Sequence, residues 1–211
     1  IPLSDVLPML EHLGLRVLGG RPYRIQKKDD ATIWVYDFSV CYFGDAIIQI
    51  EKIKSKFQEA FLSTWQGLAE DDSFNRLVLS VGLSWREVAM LRAYARYFKQ
   101  TGFAFSQTYI KDALVNHAHV TRLLVDFFEL RFALNQPTGE NAETELRSKI
   151  IEQLDQVASL DEDRILRRYL DMISGTLRTN FYQRNAMGDY KPYISLKLSP
   201  KSIPDIPRPL P

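Results

Sequence analysis

Apolar residues recur at three- and four-residue steps through most of this chain and switch to alternation in only a few places. Leu3, Val6, Leu7, Leu10 and Leu13 form one such stripe, which predicts a helix from Ser4 to Leu13. Ser4 or Asp5 suits its N-cap, and Gly14 suits the left-handed turn that ends it. Residues 15–25 and 32–42 are rich in Val, Ile, Tyr, Phe and Trp. Both read as strands, and the Lys27-Lys28-Asp29-Asp30 turn between them predicts an antiparallel pair. In the second strand Ile33, Val35 and Asp37 share one face and Trp34, Tyr36 and Phe38 the other. Gly19-Gly20 marks a bulge or kink in the first. Helical spacing then returns. Asp45 is placed to cap a helix reaching Trp65, with Ile47, Ile50, Ile53, Phe57, Phe61 and Trp65 as its apolar stripe. Helix, strand, strand, helix is the interior of a β-α-β-β-α-β unit. This expectation places the unit's first strand before residue 1.

Beyond residue 72 the pattern is almost wholly helical. Ser73 to Leu79 is a short helix. Ser84-Trp85-Arg86-Glu87 is a capping box, in which the serine hydroxyl and the glutamate carboxylate satisfy each other's backbone amides. The helix it starts runs to Gln100 and presents Trp85, Val88, Leu91, Ala95 and Phe98 inward, before Gly102 stops it. Helices follow at 106–116, 119–134 and 142–158, with a Pro137-Thr138-Gly139 loop before the last. Ser159-Leu160-Asp161-Glu162 repeats the capping pattern and opens a helix to Tyr182. Lys191 to Leu198 alternates as one strand without an obvious partner. Four prolines in the last eight residues exclude helix and central strand there.

The fold class expected is therefore α+β, mostly α: a partial ferredoxin-like unit at 1–68, a helical bundle at 69–186, and a strand with an extended Pro-rich tail at 187–211. Both ends read as boundaries within a longer polypeptide. Hydrophobic residues make up 45% of the 211, enough for a real core. With 27 basic and 26 acidic residues the net charge is +1, which predicts neither nucleic-acid nor membrane partners. The lone Cys41 forms no internal disulfide and fits a reducing, cytoplasmic setting. No apolar run approaches the roughly 18 residues of a membrane helix.

Chemistry is sparse. His117 and His119, two residues apart, do not share a helix face, and no carboxylate or cysteine spacing beside them suggests zinc. They read as part of a solvated loop. Gly19-Gly20 lacks the pattern of a phosphate cradle. No Ser-His-Asp set, Cys-His set or carboxylate pair stands out. Phe103, Phe105, Phe127 and Phe128 read as core. The arginines remain. Arg86, Arg92 and Arg96 lie on the helix from Ser84, and Arg164, Arg167, Arg168 and Arg178 on the last long helix. Guanidinium forks recognise carboxylates and phosphates, so Arg86, Arg92, Arg96, Arg164 and Arg168 are candidate interface or anion contacts. The alternative is pairing within the chain, with Glu87, Asp161, Glu162, Asp163 or Asp171.

Several runs carry a resemblance. Ser4-Asp5-Val6-Leu7-Pro8-Met9-Leu10-Glu11 with Gly14-Leu15-Arg16-Val17, and Phe74-Asn75-Arg76-Leu77-Val78-Leu79 with Gly82-Leu83-Ser84-Trp85-Arg86-Glu87-Val88, resemble the large bacterial NAD-dependent glutamate dehydrogenases. Leu91-Arg92-Ala93-Tyr94-Ala95-Arg96-Tyr97, Ser159 to Arg167 and Leu177-Arg178-Thr179-Asn180-Phe181 do so equally. The resemblance implies the end of an ACT-like region followed by a helical region, preceding the catalytic domain. It implies a parent that deaminates glutamate to 2-oxoglutarate and ammonia while reducing NAD. The catalytic lysines and aspartate and the dinucleotide-binding glycines are then expected outside this chain, which would carry no cofactor and no catalytic residue. Its partners would be other domains and subunits of the same enzyme and a small-molecule effector. The competing expectation is a helical protein–protein interaction module with no enzymatic parent.

Overall fold

The computed structural model describes residues 2–26, 32–44, 48–134, 141–204 and 206. The Lys27–Asp30 turn, the Asp45 cap, Ile47, the Pro137–Gly139 loop and most of the Pro-rich tail lie outside these residues. Helix α1 (Leu3–His12) starts behind Pro2, which offers no side-chain cap. Ser4 and Asp5 already sit inside the first turn, and the Ser4 hydroxyl bonds the Asp5 carboxylate instead. Gly14, at φ +89°, ends the helix in the left-handed region as expected. Strands β1 (Leu15–Gln26) and β2 (Thr32–Tyr42) pair antiparallel from Leu15↔Tyr42 to Gln26↔Thr32. The register shifts between Val17 and Gly19, where Leu18 is the extra residue. Gly20 then meets the Phe38 ring, which would lie 3.1 Å from any Cβ there.

Helix α2 (Ile50–Trp65) begins later than the apolar stripe suggests, behind Gln49 and without a side-chain cap. Ile50 is correspondingly exposed. Phe57, Phe61 and Trp65 stack in succession along it, at 6.3 and 5.9 Å. Leu3 and Val6 of α1 and Trp65 of α2 line an open cavity with Trp34, Tyr36 and Phe38 of the hairpin, although Trp34 and Tyr36 stay exposed. Tyr23, Ile25, Ile33 and Val35, on the other face, are exposed. The unit is tied to the following helices by His12 Nδ1 to Asp71 Oδ1 (2.8 Å), by Arg76 donating to the Phe43 carbonyl (2.8 Å), and by Lys56 on the Gly82 carbonyl.

A 3-10 turn, Ser73–Arg76, and a single helical turn α3 (Leu77–Ser80) lead into α4 (Trp85–Gln100). Both halves of the Ser84/Glu87 capping box are present. Helices α5 (Gln107–Asn116), α6 (Ala118–Phe132), α7 (Ala142–Leu154) and α8 (Leu160–Gly175) complete the bundle. Tyr94, Phe98, Phe127, Phe128 and Tyr169 are fully buried at its centre, as the 3.6-residue period requires. The Tyr169 hydroxyl donates to the Leu91 carbonyl, and Tyr94 shares a hydrogen bond of 2.7 Å with Thr176. Burial pushes both phenols well above their ordinary values.

Three expectations fail towards the end of the chain. Helix α7 stops at Leu154, short of Ala158. Helix α8 stops at Gly175 rather than near Tyr182, and the chain extends as β3 (Thr176–Thr179). A Cβ at Gly175 would come within 2.7 Å of Ile203 Cγ1, so glycine admits the crossing 199–203 segment, whose Ser199 amide donates to the Gly175 carbonyl. Leu177 continued the apolar spacing of α8 but is exposed. The strand expected without a partner is shorter, β4 (Leu196–Leu198), and pairs antiparallel with β3. Among the described residues no helix is long and apolar enough to cross a membrane.

Candidate functional site

Arg86, Arg92 and Arg96 do come together. With Trp85, Ala89 and Ala93 they form the α4 wall of a cavity of about 400 Å³, closed by residues 68–70 and by Lys191–Ile194. Their roles differ. Arg92 is almost fully buried and makes a two-pronged contact with Asp72, through Nε at 2.8 Å and Nη2 at 2.9 Å, and a third bond to Asn75. Arg86, also buried, meets no carboxylate among the described residues. Its Nη2 donates to the Phe181 carbonyl (2.7 Å) and Nη1 to the Lys191 carbonyl (3.2 Å). Its guanidinium lies 4.2 Å from the Tyr190 ring centroid and 5.0 Å from that of Phe181. Its Nε is buried without an acceptor. Burial, with Arg184 nearby, draws this guanidinium below its ordinary pKa. Arg96 is 60% exposed and meets Glu70.

Arg164 and Arg168 face a separate cavity, with Arg167, Asp171, Phe103 and Pro204. Arg168 donates to the Pro204 carbonyl and lies over Phe103 at 5.1 Å, and Arg167 pairs with Asp163 and Asp155. The two arginine groups therefore line separate cavities. His119 is exposed as expected, and His117 is less solvated than the spacing suggests. His117 Nε2 lies 2.8 Å from Glu162 Oε2, and His12 pairs with Asp71. The Glu162 carboxylate meets Asn116 and His117 rather than the Ser159 amide, while the Ser159 hydroxyl still accepts the Glu162 amide. No group of His, Cys, Asp and Glu suited to a metal occurs among the described residues.

One cluster escaped the sequence. Glu87 accepts the Ser84 amide (2.6 Å) and Arg122 Nη1 (2.9 Å), while Arg122 also bonds Asp126 (2.7 Å) and reaches Glu129 at 3.5 Å. Burial opposes the charge on Glu87, but the amide and Arg122 outweigh it and lower its pKa. Burial likewise opposes the charge on Arg122, and Glu87 with Asp126 overcomes it. Glu129 comes off worst. Burial and the Glu87 charge push it up to about 7, because its contact to Arg122 is too long to compensate. Tyr182, beside both carboxylates, is pushed up to about 12, chiefly by burial. The helical spacing of Arg122, Asp126 and Glu129 was visible. Their meeting with Glu87 on another helix was not.

A pH dependence follows. Glu129 binds its proton more tightly folded than unfolded, so its stabilising contribution is complete below its ordinary value of 4.5 and is lost as pH rises through about 7. Glu129→Gln should flatten the fall in urea midpoint between about pH 5 and about pH 8. Equal slopes in the variant and the wild type would show that Glu129 does not titrate there.

Three family models match consecutive stretches. One described as glutamate dehydrogenase, ACT3 domain, matches residues 1–53, and one described as glutamate dehydrogenase, helical motif 3, matches residues 69–134. A third, bacterial NAD-glutamate dehydrogenase, catalytic domain, matches residues 149–211. This last match starts within α7 and includes α8, β3 and β4, so the Arg86 bonds to Phe181 and Lys191 join the second match to the third. Proteins called NAD-specific glutamate dehydrogenase are similar over essentially the whole chain: 49% identical in Halomonas elongata, 48% in Pseudomonas aeruginosa and 35% in Mycobacterium tuberculosis. The chain spans 13% of the length of each of these relatives.

Proposed function

The chain belongs to the large bacterial NAD-dependent glutamate dehydrogenase family, and from that premise we propose that it is a regulatory and assembly segment of such an enzyme. The parent takes L-glutamate, NAD and water to 2-oxoglutarate, ammonia and NADH, in the cytoplasm, with its chemistry outside these residues. The observation that carries this reading is Arg86. A buried arginine on α4 spends its donors on the carbonyls of Phe181 and Lys191, which ties the helical-motif match to the catalytic-domain match. Such a tie lets a change in the helices reach the catalytic domain, or holds that domain in place. The sequence contains no G-x-G-x-x-G run, the pattern a dinucleotide pyrophosphate requires at a helix start. Under this reading 1–68 is the ACT-like unit and 69–186 the helical domain, whose last helix already lies within the 149–211 catalytic-domain match, and 187–211 leads on towards the rest of the catalytic domain. The purified chain with L-glutamate and NAD should give no rise in NADH absorbance. Measurable turnover would refute the non-catalytic reading.

The exposed hairpin face supports a second reading, a module that recruits another protein. Tyr23, Ile25, Ile33 and Val35 lie together there, and long two-stranded ribbons are seldom stable uncovered. Light scattering with a cell-extract pull-down separates the two. Self-association without a foreign partner favours assembly, and capture of a distinct protein favours recruitment.

A further inference from the structure

Residues 181–191 form a strap held by α4 and α6, and each helix holds it with two consecutive residues. On α4, Arg86 donates to the Phe181 and Lys191 carbonyls, and Glu87 follows it. On α6, the Phe128 ring meets Phe181 edge-on at 5.2 Å, and Glu129 follows it. The Glu87 and Glu129 carboxyls are in hydrogen-bonding contact with each other and lie beside Tyr182. Arg86 and Phe128 thus act on the first residue of the strap, and the two carboxyls on the second.

Charge around them is unbalanced. One guanidinium, Arg122, serves three carboxylates: Asp126 at 2.7 Å, Glu87 at 2.9 Å and Glu129 at 3.5 Å. Asp126 is exposed enough for water to share its charge. Glu87 is only 9% exposed, and the Ser84 amide and Arg122 fix it as a carboxylate. The other titratable group beside Glu129 is the Tyr182 phenol. Arg131, on the far side of α6, is taken by Glu143 of α7 and the Ile173 carbonyl of α8. Two touching carboxyls with most of one cation committed elsewhere repel if both ionise. A proton on Glu129 turns the repulsion into a hydrogen bond donated to Glu87. We propose that this proton is a latch: while Glu129 carries it, α4 and α6 are joined beside Tyr182 and the 181–191 strap is held, and its loss releases the strap. Burial and the Glu87 charge place the titration at about 7. With the strap open, Glu129 meets water and returns to its ordinary 4.5. The held state therefore binds the proton more tightly, so the latch is shut in mild acid and weakens as pH rises through about 7. Glu87 and Glu129 lie in the helical-motif match and the strap in the catalytic-domain match. The inference deepens the regulatory reading by naming the proton as what the tie responds to.

The test is hydrogen exchange of the 211-residue chain by mass spectrometry, with protection corrected for the intrinsic effect of pH on exchange. Between about pH 6 and about pH 8, protection of 181–191 should fall by about tenfold, the ratio that a shift from 4.5 to about 7 produces over that interval. Protection of α5 should not change. Glu129→Gln, whose amide still donates to Glu87, should hold the strap at its low-pH protection throughout. Carbon NMR of the glutamate carboxyls should show one group titrating near neutrality in the wild type and none in Glu129→Gln. The proposal fails if no glutamate carboxyl titrates near neutrality, if Glu129 titrates while strap protection stays constant, or if Glu129→Gln keeps the wild-type fall. NADH production by the chain would sink the regulatory reading and leave these measurements untouched, so the two failures are distinguishable.

Discussion

Arg86→Ala should loosen the segment from Phe181 to Lys191 and destabilise the chain by about 3 kcal/mol, the worth of two hydrogen bonds from a charged donor. The variant strands two backbone carbonyls that had a guanidinium fork, at 2.7 and 3.2 Å. It also removes the cation beneath Tyr190. Limited trypsin digestion gives the sharper readout. Arg184 and Lys191 lie inside the freed segment, and cleavage there should accelerate well beyond cleavage at Arg164 on α8. Arg86→Lys should not restore protection, since one ammonium has no planar fork to span carbonyls ten residues apart in the chain. Wild-type digestion kinetics in Arg86→Ala would remove the clamp, and with it the observation that carries the regulatory reading.

Phe98→Ala should cost about 3–5 kcal/mol, the usual penalty for deleting a buried aromatic ring. Phe98 is wholly buried and packs edge-on against Tyr169 at 4.7 Å and Phe103 at 5.3 Å. It sits where α4, α8 and the 103–105 turn converge, so the vacancy has rigid walls and little freedom to collapse. Against a total of roughly 5–15 kcal/mol for a domain, that is a large fraction. The urea midpoint should fall sharply while the slope of the transition stays constant. Phe98→Leu should recover most of the loss. A loss of unfolding free energy below about 1 kcal/mol in the alanine variant would mean that Phe98 is not central to the core.

What the chain could reveal by itself was local. The α4 capping box, the hairpin, its bulge and the core phenylalanines all depend on residues within a few positions of one another, or on a period that one face of one element imposes. Ser84 and Glu87 are three residues apart, so their reciprocal bonds are written in the order of residues. The failures came where distant segments compete for the same backbone. Leu177 fits the α8 stripe, yet Ile203 and Ser199 cross at Gly175 and turn the chain into β3. No spacing near Leu177 encodes a partner some twenty residues downstream.

The candidate site divides in the same way. Arg86, Arg92 and Arg96 were legible as one helix's arginines, because i, i+4 and nearby positions share a side of a helix. Which of them is neutralised, and by what, depended on Asp72, Glu70 and two carbonyls that only packing brings near. The meeting of Glu87 with Glu129 was equally hidden. Two carboxylates on separate helices acquire their mutual repulsion from the distance between those helices, and that distance is set by the rings packed inside the bundle. Order along the chain thus determined the elements, their caps and their inward faces. Tertiary structure alone decided which charges lose water and which stay unmatched, because electrostatic energy depends on separation in space and on burial.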